Sequence, residues 1–349
     1  SKTTITDAYV PAGGRTFTVA SAAAFKVGDE ILVGRPVTAP WVHFMGMDTL
    51  VRNGAPQTWL SPGSVQNAER TITAIAGNKL TIDIPLSDSF DGQYVTPPGG
   101  TITKFTYARP SEIGIEHLKV VGQPRSETVN FSFVNLSGVV DSWVRDTVAH
   151  DVTSGVGVVG DSKRITIDKA IITHTMVDYV SAAKPSDFGV DGMGQVLIVR
   201  SAARGANQSF SFITQSGVPG PVVLLDFGAS GIGTHLQPHQ RWSTGLLVDN
   251  ANQQMGNIEY IDRNILGSGH GWTMGWGVIW NSVAPSIKVQ LPPGTMNWAI
   301  GCKGTMAAPS DGHPNGTFDS HGTPVNIKSL YLAQLCERLG PEALKNIGY

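Results

Sequence analysis

Charge is scarce in this chain: Asp, Glu, Lys and Arg supply 15% of its 349 residues, against about a quarter in an ordinary globular protein. The formal net charge of −2 gives no bulk attraction to nucleic acid or to an anionic membrane. Long apolar runs are missing as well, so no transmembrane helix is expected. Cysteine is nearly absent. Cys302 and Cys336 read either as two reduced thiols or as one disulfide tying the body to the C-terminal segment. No Met opens the chain, and Ser1-Lys2-Thr3 reads as the start of a mature or trimmed product. Four Asn-x-Ser/Thr triplets, at Asn130, Asn135, Asn207 and Asn315, add weak support for export. Glycine is plentiful, at 41 residues, and 41% of the chain is hydrophobic. These numbers describe a strand-and-turn protein with a sizeable core.

Residues 1–110 read as a small β region with the start of the main body. Arg15–Val19, Glu30–Val33, Arg70–Ile75 and Lys79–Asp83 show apolar alternation, the signal of a half-buried strand. Gly77-Asn78 joins the last two in a predicted hairpin, since both residues tolerate positive φ. From about residue 111 short β-branched runs recur, marked by Val144, Ile165, Leu197, Val223, Leu246 and Val278. A recurrence of twenty to thirty residues is that of a solenoid. A run of four or five residues cannot bury its own apolar face, but stacked on like runs it completes a continuous core. A small polar residue ending each run is expected to turn the corner. The fold class that follows is all-β: a parallel β-helix over 111–325, with a small N-terminal β region. Ser329–Leu339 has helical spacing, stopped by Gly340. Residues 326–349 are therefore a predicted C-terminal helical cap, placed to cover the open edge of the last coil.

Chemistry-bearing residues crowd into 235–301, which holds three of the nine histidines and five of the eight tryptophans. His239 and Arg241 share one face if the segment is extended. Tyr260, Asp262 and Arg263 follow. Then Gly267-Ser268-Gly269-His270-Gly271-Trp272 presents a His and a Trp on a loop whose glycines permit close backbone approach.

Several of these motifs resemble those of pectin-lyase-like right-handed β-helix proteins. They are His239-Gln240-Arg241-Trp242, Gly267–Trp272, Val278–Asn281 and Pro292–Trp298, with Phe25–Ile31 and Trp41–Asp48 similar in kind. The resemblance runs over most of the chain and implies a secreted carbohydrate-active protein. That superfamily contains lyases, hydrolases and epimerases, so the reaction stays open.

Three readings follow. A polysaccharide lyase acting on a uronic acid needs a cation on the carboxylate and a base for the neighbouring proton. Arg241 or Arg263 suits the first task, and His239 or His270 the second. Tyr260 is the candidate proton donor to the leaving oxygen. His235, Trp242, Asp262, Trp272 and Arg204 complete the candidate substrate-binding set. No dense acidic cluster marks this stretch, so Ca²⁺ is not called for and no metal or other cofactor is expected. A glycoside hydrolase would need two carboxyl groups facing one cleft, with Asp226, Asp249 and Asp262 as candidates. A non-catalytic glycan-binding solenoid would need only the aromatic and polar loops. The expected partner in every case is a polysaccharide or oligosaccharide, not nucleic acid or membrane. Arg145, Arg164 and Arg200 are expected to pair with acids on neighbouring coils. Trp276, Trp280 and Trp298 are expected in the core.

Overall fold

The computed structural model describes residues 1–123, 131–175, 186–205, 210–308 and 311–349. The triplet asparagines Asn130 and Asn207 lie outside the described residues.

Alternation in the first hundred residues puts Phe17, Ile31, Val33, Ile72, Leu80, Ile82 and Ile102 on one face, and all are buried together. The strands carrying them form a six-stranded antiparallel sheet. Its order is Lys2–Thr4, Thr101–Lys104, Glu30–Pro36, Val65–Ala76, Lys79–Ile82 and Thr16–Thr18. Ala76 pairs with Lys79, so Gly77-Asn78 is the hairpin turn expected of it. Parallel pairing begins with a bridge from Ser111 to Val140 and continues at Gly114–Glu116, against Val140–His150. Residues 1–110 thus contribute no strand to the solenoid, although its start was expected there.

The rest is a right-handed parallel β-helix whose strands join in one 21-stranded sheet that folds into three flanks. On the first flank Val144, Ile167, Ile198, Leu224, Val248, Ile279 and Ala299 lie in register, and every one is fully buried. On the third flank Val156, Phe188, Phe212, Leu236, Ile258 and Ile287 form the matching inner column, again buried. Each Val, Leu, Ile or Phe in these columns contributes about 1.5–3 kcal/mol through burial. The columns share one core cluster, which is why no coil is stable alone. The recurrence in the sequence had the right period but a slipped register. Val144 stands opposite Ile167 rather than Ile165, and Val223 opposite Leu247 rather than Leu246. β-branched runs alone do not say which residue points inward.

The corner between the first and second flanks is a single left-handed residue in each coil. Its occupants are His117, Asp146, Lys169, Arg200, Asp226, Asn250, Asn281 and Ser320, all at φ between 45° and 55°, and Gly301, which takes the corner at 67°. Asp and Asn are the expected choices, because their short side chains tolerate this region. Lys169 and Arg200 show that the stacked core also imposes it on long side chains. Just past the corner Ser201, Ser282 and Cys302 turn inward. Each hydroxyl or thiol donates to a backbone carbonyl of its own coil, at Val199, Trp280 and Ile300. Cys302 is fully buried, and burial pushes its thiol up to about 11. Both cysteines are free, so the single-disulfide alternative does not hold.

Two extensions close the helix laterally. Glu69 of the N-terminal sheet receives a two-pronged ion pair from Arg109 at 2.6 and 2.9 Å and a second contact from Lys163 of the solenoid. Lys163 also reaches Glu30 at 2.8 Å. At the other end Ser329 caps the helix Leu330–Leu339. That helix does not cover the edge of the last coil. Tyr331 and Leu332 pack instead on Leu197, Val199, Val223, Leu225 and Leu247, along the outer face of the first flank. These residues are apolar on both sides of the strand, and the outward row needs a cover more than the polar edge does. Among the described residues no helix is long and apolar enough to cross a membrane.

Candidate active site

The third flank ends in the loops that lead back to the first, and there His239, Arg241, Arg263 and His270 come together. His239 and Arg263 leave adjacent coils, after His235–Leu236 and Asn257–Tyr260. Stacking therefore makes neighbours of residues 24 apart. The imidazoles of His239 and His270 stand 4.7 Å apart, centroid to centroid. Arg263 donates through Nη1 to the His239 carbonyl at 2.8 Å and lies 3.3 Å from His239 Nδ1. Arg241 donates to Ser268 O and Oγ at 2.9 and 2.6 Å. Its own amide donates to the His270 carbonyl at 2.9 Å. A third guanidinium arrives from the N-terminal region, where Arg52 donates to Gly267 O.

Glycine is needed in this loop. At Gly267, φ is +59° and an added Cβ would lie 2.1 Å from His270 Nε2. At Gly271 a Cβ would meet the Trp59 ring at 2.4 Å. The spacing that suggested close backbone approach to a ligand serves first to seat His270 and Trp59.

Positive charge predominates at this corner, although Glu259 acts on Arg263 from beyond ion-pair distance. None of Arg52, Arg241 and Arg263 has an acidic partner within ion-pair distance among the described residues. Burial, followed by Arg263, His270 and Arg241, drives His239 down to about 3. Burial, then Arg263, Arg241 and Arg52, drives His270 down to about 4. Both imidazoles are therefore neutral at pH 7, inside a ring of three fixed positive charges. Arg241 Nε and His270 Nδ1 are buried without a hydrogen-bond partner among the described residues. Buried polar atoms of that kind are rarely left so in a finished structure. A cluster of this make-up suits an anion with hydrogen-bonding oxygens, such as a carboxylate.

Several expected site residues are placed elsewhere. Trp242 and Trp272 are 1% exposed and belong to a cluster with Trp41, Trp59, Met45 and Met47 from the long N-terminal loop. Trp242 Nε1 donates to Asp88 at 2.7 Å and Trp272 Nε1 to the Met45 carbonyl at 3.0 Å. They are the seat on which the N-terminal region clamps the loops, not sugar-stacking surfaces. Tyr260 is fully buried, and its hydroxyl faces the Leu246 and Val278 carbonyls. Desolvation raises its pKa well above the usual tyrosine range, so it does not deliver a proton to substrate. Asp262 is 6% exposed and paired with His313 at 3.0 Å. Arg204 ends a second-flank strand, Ala202–Arg204, on the opposite side of the third flank from His239.

The three aspartates of the hydrolase reading do not face one cleft. Asp249 accepts from Ser329 Oγ and Tyr331 N at 2.7 and 2.8 Å, and Asp226 accepts from the Tyr349 hydroxyl at 2.5 Å. Both hold the C-terminal segment on the first flank. Among the described residues no group of three or more His, Cys, Asp or Glu is arranged to hold a metal.

Other participants were not foreseen. Phe210, whose Cα is in register with that of His235, lies 5.5 Å from the His239 ring and 5.8 Å from the His235 ring. Arg263 sits over it at 5.8 Å. Glu259 contacts His235 Nδ1 at 3.1 Å and receives Gln237 Nε2. Alternation in Asn257-Ile258-Glu259-Tyr260, with Ile258 and Tyr260 inside, was the available sign that Glu259 faces out. Nothing local marks Arg52, which lies 215 positions from Gly267.

The fold and this corner together define a parallel β-helix with a cationic, histidine-bearing cluster on its flank. No family model and no curated protein sequence matches the chain. Among solved structures it is similar to the tailspike protein gp49 from Pseudomonas phage LKA1, with 13% identity and a TM-score of 0.36, over 93% of this chain and 59% of that one. It is also similar to the Gp54 tailspike of Acinetobacter baumannii bacteriophage AP22, crystallised with A. baumannii capsular saccharide, with 8% identity and a TM-score of 0.32 over 93% and 61%. A third is the catalytic domain of a GH87 α-1,3-glucanase in complex with tetrasaccharides, with 10% identity and a TM-score of 0.31 over 92% and 90%. The chain spans about three-fifths of the length of the two tailspikes.

Proposed function

We propose that this chain is an extracytoplasmic polysaccharide lyase that cleaves an acidic glycan by β-elimination at the His239–Arg263 corner. One observation carries the reading: two neutral imidazoles 4.7 Å apart lie among three arginines with no ion-paired acid among the described residues. Elimination begins with removal of the proton next to a carboxylate. The guanidiniums of Arg241 and Arg263 match a carboxylate in charge and in hydrogen-bond geometry. Bound there, the carboxylate is polarised and its neighbouring C–H becomes more acidic.

His239 is the base. Arg263 has no acceptor, so its approach to His239 Nδ1 leaves the neutral ring's proton on Nε2. A carboxylate that draws the guanidinium away frees Nδ1 to take the C5 proton. The same anion cancels part of the positive field that lowers this imidazole, so its basicity rises when substrate arrives. The electrons of the broken C–H bond form the C4=C5 double bond, and the C4–O4 bond breaks. Water supplies the proton to O4, since Tyr260 is sealed in the core.

The reading is tested by screening acidic and neutral polysaccharides for the ultraviolet absorbance of an unsaturated uronide. His239→Ala should abolish that signal and leave binding in place. New reducing ends without the absorbance would mean hydrolysis. Binding without any product would mean a glycan-binding solenoid.

A further inference from the structure

The outer row of the third flank runs directly into the arginine pocket, and its chemistry differs from the pocket's. Phe210, His235, Asn257 and Ser286 stand in register on consecutive strands. Strands are about 4.8 Å apart, so two rungs span about two pyranose rings. Phe210 is half-buried and touches both His239 and His235. It lies between the arginine pocket and the His235–Glu259 pair, as a stacking surface between two neighbouring sugar positions.

Past Phe210 the row carries an acid, Glu259, close enough to act on Arg263. The Glu259 side chain is 13% exposed, and it is held from below by Gln237 and His235. Lys288 is its in-register neighbour on the next strand, so this patch as a whole is close to neutral. It offers a second uronate no net attraction and, at Glu259, a like charge. A carboxylate held in place by two donors is a good acceptor for sugar hydroxyls.

We infer that Glu259 is a specificity-determining residue that admits only an uncharged sugar beside the uronate held by Arg241 and Arg263, so that the substrate is a mixed glycan and not a homopolyuronate. This rests on the proposed acidic-glycan reading. Like charges placed together across a contact are strongly discriminating, and the preference should be roughly tenfold or more.

The experiment measures binding by calorimetry, and KM, for the full chain with two polymers at equal uronate concentration. One is a homopolyuronate and the other alternates uronate with neutral sugar. Wild type should favour the alternating polymer by roughly tenfold. Glu259→Gln, nearly identical in shape, should close the gap by gaining on the homopolyuronate while its melting temperature stays that of wild type. Equal handling of the two polymers by wild type, or an unchanged ratio in Glu259→Gln, overturns the inference and leaves the acidic-glycan reading standing. Failure of both polymers to bind, with Arg263→Ala making no difference, overturns both.

Discussion

Two flanks of the same helix treat charge in opposite ways. On the first flank every arginine named has its acid. Arg164 forks onto Asp141 at 2.5 and 2.7 Å, Arg200 onto Asp168 at 2.8 Å through both prongs, and Arg145 meets Glu116. The C-terminal segment then seals this face, with Arg200 donating to the Ile347 and Gly348 carbonyls. At the end of the third flank, Arg241, Arg263 and Arg52 have no ion-paired acid among the described residues and donate to carbonyls and a hydroxyl or lie beside a neutral imidazole. Paired charges serve the architecture. Charges left without acids, beside orphaned polar atoms, are what the proposed carboxylate site requires.

The contrast can be broken by removing the scaffold under the pocket. Trp242→Ala should cost about 3–5 kcal/mol, read as a fall in denaturation midpoint, because the ring is a fully buried member of the tryptophan cluster. A variant of normal stability with a raised KM would return Trp242 to the substrate-binding set. Within the pocket, Arg263→Ala should lower kcat/KM by about 10²–10³-fold and move the acid limb of the rate profile upward, since His239 loses the largest charge that lowers it. On the first flank, Arg200→Ala should cost only about 1–2 kcal/mol. It should release the last residues to carboxypeptidase and leave turnover unchanged. Loss of turnover in that variant would mean that the two flanks are coupled.

The smallest effect is on the pH dependence of stability, and the flanks differ in sign. His239 and His270, at about 3 and about 4, lie below the 6.5 of an unfolded histidine. The unfolded chain therefore binds more protons below pH 6.5, and their contribution is lost as pH falls from there toward 4. Asp249 is raised by burial to about 6, above the unfolded value of about 3.9. Its contribution is full near pH 4 and is lost as pH rises through 6. Thermal melts should show His239→Gln flattening the acid side and Asp249→Asn removing the opposing slope, each by a few degrees at most. The same sign from both variants would contradict the comparison.

The chain's own pattern announced much of this. Repeated β-branched runs and corner Asp and Asn residues pointed to stacked coils, because core burial and left-handed φ select residue types locally. The motifs around His239, Arg241, Arg263 and His270 pointed to one corner, since a period of about one coil brings them together. Burial was misread where a side chain has two uses. Trp242, Trp272 and Tyr260 are chemically fit for sugar contact, but their fate depends on a loop from the N-terminal region that covers two of them and on a strand that turns the third inward. Glu259 and Phe210 escaped notice because an outward residue in a short strand has no composition signal of its own.

The sequence by itself determined that coils would stack and which side chains could do chemistry at one end of a flank. Only the tertiary structure decided which of them meet at this corner, that Arg52 joins from the N-terminal region, and that the C-terminal helix packs on a flank. The reason is physical: periodicity records which residues must be buried together, whereas contacts between distant segments depend on shapes and charges that no local pattern encodes.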